Sequence, residues 1–337
     1  MSNEIPMKTT ISLILFSLLT MTLLISTTVF PLEIGTANAQ KYSVIATIPV
    51  GGSPFGVAIN QFYDLVYVAN AGSNTVSVID PATNKVVATI PVGKSPFGVA
   101  INQIYGLVYV TNVLSNTVSV IDPATNKVVA TIPVGANPSG VVFNPTNRLL
   151  YVANAGSNTV SVIPVNNTVV ATIPVGGSPF GVAINPTNGL VYVSISNRNT
   201  VSVIDPATNK VVATIPVGEA PFGVAINPTN GLVYVANFLY NTVSVIDPKT
   251  NKVVATIPVG EAPSGVVFNP INGLVSVANV NSNTVSVIDP KTNKVVATIP
   301  VGSVSRGSSG VAIDSTNGLI YVPNVRSNTV SVVSTVS

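Results

Sequence analysis

From residue 41 onward, short runs of Val, Ile, Tyr and Thr alternate with clusters of Asn, Gly, Pro and Asp, and no run has helical apolar spacing. In the first full unit this pattern predicts strands over 56–60, 65–70, 75–80 and 85–92, separated by turn-forming residues. The unit then recurs. The Pro of TIPVG falls at 49, 91, 133, 174, 216, 258 and 300, a spacing of 42 residues with a single 41. NTVSVIDPATNKVVATIPVG at 74–93 returns letter for letter at 116–135 and 199–218. The short spacing traces to a turn at 164–168 that has lost one residue, so strand register should survive there.

Seven units of four antiparallel strands predict an all-β, seven-bladed β-propeller. The repeated Pro lies inside each fourth strand and removes an amide donor, which marks that strand as the exposed outer edge of its blade. The chain opens on a lone fourth strand, 42–50, and stops after a third strand, 329–334. The N-terminal strand therefore supplies the outer strand of the last blade and closes the ring, a clasp that no disulfide can provide because there is no Cys. Flat packing against two neighbours buries both faces of each blade, which explains why the copies are so alike.

Tyr109-Val110-Thr111-Asn112 spells YVTN, and YVAN begins at 67, 151 and 234. By these motifs the chain, over 41–337, resembles the YVTN β-propeller repeat family of archaeal and bacterial surface-layer and other exported proteins. The resemblance implies a cell-surface or secreted location and a binding or lattice role, not a particular ligand.

Differences among the copies then indicate where function resides. Where Phe precedes the first-strand Gly (Phe55, Phe97, Phe180, Phe222), the residue four further on is Ile, and where it is Ser (Ser139, Ser264), that later residue is Phe143 or Phe268. This exchange suggests that both positions fill one shared pocket between blades. The seventh unit has Ser309 and Ile313 and a connection three residues longer, which suggests looser packing there.

The loops joining fourth to first and second to third strands share one face of the ring, and they vary most. They carry Val113, Leu114, Ile195, Arg198, Phe238, Leu239, Tyr240, Val280, Arg306, Val325 and Arg326, the candidate surface for a protein or glycan partner. The opposite face repeats NPTNG-like turns and Asp-Pro turns, whose Asp is expected to cap its own turn rather than to bind metal.

Composition narrows the chemistry. With 14 basic and 11 acidic residues in 337 there is no basic stripe for nucleic acid. No His, Cys or Trp is present and no base adjoins a nucleophile, so no catalytic, cofactor or metal site is expected; a propeller hydrolase or lyase is the weakest alternative. Residues 9–30 carry no charge and Ala37-Asn38-Ala39 follows, so 1–39 reads as a signal peptide or, if retained, a membrane anchor, with 40–337 as one domain. Asn166-Asn167-Thr168 is a glycosylation sequon within the shortened turn. The expected protein is a secreted or surface binding scaffold, a monomer or a lattice subunit.

Overall fold

The computed structural model describes residues 41–302 and 310–336. The expected signal segment and Arg306 lie outside these residues, as does the long connection of the seventh unit. The first blade consists of strands Pro54–Asn60, Leu65–Asn70, Thr75–Asp80 and Lys85–Pro91, hydrogen-bonded in chain order. Five further four-stranded sheets follow the same order. The seventh joins β1 (Lys41–Pro49) to β28 (Thr329–Val336), β27 (Ile320–Asn324) and β26 (Ala312–Ile313), numbered in chain order. In it β1 pairs antiparallel with β28 from Lys41↔Val336 to Pro49↔Thr329, so the predicted closure is the observed one.

The core lies between the blades. In Leu65–Asn70 successive side chains point to opposite faces. Val66 and Val68 pack with Tyr321, Val330 and Val332 of the seventh blade, while Tyr67 and Ala69 pack with Val108, Val110 and Ile121 of the second. Seven such clusters, each drawn from two adjacent blades, occupy the seven interfaces. A strand buried on both faces reads as a nearly continuous apolar run, as these do.

Two bulges shape every regular blade. Between Pro54↔Asn70 and Val57↔Val68 the inner strand carries one extra residue, and Val87 is the extra residue between Ile79↔Val86 and Val78↔Ala88. The inner bulge brings Gly56 so close to the second blade that a Cβ would fall on the carbonyl oxygen of Phe97; Gly98, Gly140, Gly181, Gly223 and Gly310 meet their next neighbours in the same way. The shortened turn of the third blade keeps the register Thr159↔Pro174 but reduces its outer strand to Ala171–Pro174.

Asparagine ties the blades together. Asn74 takes a left-handed conformation, φ 56°, and its Oδ1 accepts from Ser95 N–H of the next blade at 2.8 Å. Across the closure Asn328 accepts from Ser53 N–H at 2.9 Å. The buried Asn of the YVTN motif is a second tie. By its partner set, the Asn324 amide donates to the Gly302 carbonyl at 3.2 Å and accepts from Ser331 N–H at 3.2 Å and from the Ser331 and Thr329 hydroxyls. The same orientation would give a partner to each otherwise unpaired Oδ1 of Asn70, Asn112, Asn154, Asn237 and Asn279.

Candidate functional site

On the variable face the two loop sets pair by backbone. Val113 N–H donates to Ser95 O at 3.0 Å and Leu114 N–H to Lys94 O at 3.2 Å, so each tip rests on the connection leading into its own blade. This support leaves Leu114 70 % exposed, Leu239 61 % and Tyr240 58 %, with Arg198 and Arg326 also exposed. Val113 and Phe238 are half-buried. Ile195, Val280 and Val325 differ from expectation: they are buried and contribute packing rather than contact surface. Ile195 replaces the buried Asn and packs with Val175, and the Ser202 hydroxyl donates instead to Val175 O at 3.1 Å.

The Phe exchange has a different basis from the one its pattern suggests. Phe55, Phe97, Phe180 and Phe222 stand around the axis at the mouth of the variable face, with successive ring centroids 5.1, 5.3 and 4.2 Å apart, and Phe238 extends the arc at 4.9 Å from Phe222. Phe143 lies instead in the interface of the second and third blades with Tyr109, Val118 and Leu150. Four residues of strand separate the two positions by about 13 Å, too far to share a pocket. Ser139 is buried, and its hydroxyl donates toward the carbonyls of Ala153, Pro179 and Phe180 at 3.1–3.2 Å. Beside it Phe55, Phe97, Phe180 and Val113 line a cavity of about 270 Å³. The channel beyond is narrowed by inner-strand Gly and Val residues to a space of about 140 Å³.

The opposite face bears out the reading of the Asp turns. Asp80 Oδ1 accepts from Ala82 N–H at 2.9 Å and Oδ2 from the Thr83 hydroxyl at 2.8 Å, and the turns at Asp122, Asp205, Asp247 and Asp289 repeat this. The Thr83 hydroxyl, followed by the Ala82 amide, holds the Asp80 carboxyl below its ordinary value. Among the described residues no three His, Cys, Asp or Glu side chains gather as metal ligands.

That face also carries exposed aromatic residues. The turns of the first two blades read QFYD and QIYG where the fourth and fifth have PTNG. Phe62 is 70 % exposed and Tyr105 50 %, beside the partly exposed Tyr63 and Ile104. The signal was present as two large apolar residues in place of Thr-Asn.

Comparison with known proteins agrees with the architecture. The family model described as YNCE-like beta-propeller matches residues 179–271 and 227–305, and the chain is thus similar to that family over part of its length. Kuenenia stuttgartiensis hydrazine synthase has a similar fold, with a TM-score of 0.74 and 21% identity over 83% of this chain and 95% of that one. No curated protein matches the sequence.

Proposed function

We propose that this chain is an exported, non-enzymatic propeller of the YVTN repeat type that binds a protein partner at the cell surface. The observation that carries this reading is the exposed pair Leu239 and Tyr240, which follows directly on Phe238 at the end of the aromatic arc. Leu114, Arg198 and Arg326 are also exposed on this face, and exposed apolar residues together with arginines are the composition of a protein contact. The charge-free segment at 9–30 supports export. The residue inventory favours binding over catalysis, since the repeated carboxylates are engaged within their own turns.

A lattice role is the second reading, and one observation favours it. Ile45, Val87, Val129, Val170, Val212, Val254 and Val296 are 52–59 % exposed around the perimeter, where burial does not require a β-branched residue. Photo-crosslinking on intact cells separates the two. Crosslinkers at 114 and 239 should capture one discrete heterologous protein, and a crosslinker at 212 none. Self-adducts from 212 alone would establish the lattice instead, and the absence of adducts from 114 and 239 would reject the binding face.

A further inference from the structure

We propose that the mouth of the ring opposite the variable face is a binding site for a neutral glycan. There a cup of about 580 Å³ is lined by the apolar Ile59, Ile101, Phe268, Ile313 and Phe62 together with the amides of Gln61 and Gln103. This volume falls within the range of small-ligand sites.

The cup is built on fixed parts. Asn60 is fully buried; its Oδ1 accepts from Phe62 N–H at 3.1 Å, which sets the turn that presents the ring. Its Nδ2 donates to Gly106 O of the second blade at 2.6 Å, and Gln61 Nε2 donates to the Ser315 hydroxyl of the seventh. Gly106 has φ +72°, and a Cβ there would lie 2.7 Å from Tyr63 Cε2, so the second turn closes against the aromatic pair Phe62 and Tyr63. The platform is thus tied to both neighbouring blades, and little ordering remains to be done on binding.

The lining selects the ligand class. Among the described residues no charged side chain lines the cup. The nearby carboxylate of Asp314 is buried and engaged, accepting from Thr316 N–H and Oγ1 at 2.9 and 2.6 Å and from Asn317 Nδ2 at 2.7 Å. A neutral ligand follows. Glutamine amides both donate and accept, as sugar hydroxyls do. The flat C–H face of a pyranose fits the electron-rich face of Phe62. With Gln61 Nε2 engaged by Ser315, its Oε1 and the Gln103 amide remain to meet ligand hydroxyls.

Calorimetry on the mature chain with cellobiose and N,N′-diacetylchitobiose tests this site. At least one disaccharide should bind in the millimolar range, and Phe62→Ala and Gln103→Ala should each weaken it about tenfold with an unchanged melting temperature. Phe62 and Gln103 are exposed, so neither variant threatens the fold. Leu239→Ala, on the other face, should bind as the parent does, which keeps this test independent of the partner surface proposed above. No heat with either disaccharide, binding that survives Phe62→Ala, or binding of N-acetylphenylalaninamide in their place would overturn the proposal.

Discussion

Gly310 of the last blade faces the carbonyl oxygen of Phe55 in the first, at the point where any Cβ would fall on that oxygen. The obstacle is backbone on both sides, so no side-chain rotation relieves it. Gly310→Ala should lower stability by about 3 kcal/mol in denaturant melts. A shift well below one would mean that the closing interface is looser than its neighbours.

Asn237 is buried between the Thr242 and Ser244 hydroxyls, at 3.0 and 2.9 Å. Asn237→Ala should cost about 1–3 kcal/mol, since it leaves buried polar groups unpaired. The melting temperature should fall without loss of the folded baseline, and an unchanged value would remove this tie from the account.

Phe143 and Phe97 should part company under truncation. Phe143 is 6 % exposed within an inter-blade cluster, so Phe143→Ala should cost about 3–5 kcal/mol. Phe97 is half-buried at the open mouth, and Phe97→Ala should cost distinctly less. Equal losses in chemical denaturation would contradict the separation of the two positions.

Burial first, and nearby carboxylates second or later, push the Tyr67, Tyr234 and Tyr321 phenols from 10.0 up to about 12. The folded state holds these protons where the unfolded chain releases them. Their stabilising contribution is therefore complete below pH 10 and declines as pH rises toward 12. Phenolate absorbance from this set should grow together with loss of the circular dichroism signal. Full ionisation with the fold intact would show that these phenols are not buried.

The sequence reveals the ring more readily than the site. Strand period, the repeated Pro and the phase of the two ends follow from backbone rules, and the pairing of β1 with β28 matches them. The Phe exchange suggests one pocket only while the rise of the strand is left out, since four residues already place the two positions about 13 Å apart. Burial of Val280 and Val325 depends on how each loop turns back over its blade, which no local pattern encodes. Conversely, QFYD was legible as an aromatic turn, but its resemblance in length to NPTNG hid the difference in what it exposes.

The most direct test of the account is thermal unfolding of a chain lacking residues 41–50, with and without a synthetic peptide of that sequence. The closed ring predicts a large cooperative drop in melting temperature that the added peptide reverses in proportion to its concentration. A truncated chain that melts like the intact one would contradict it.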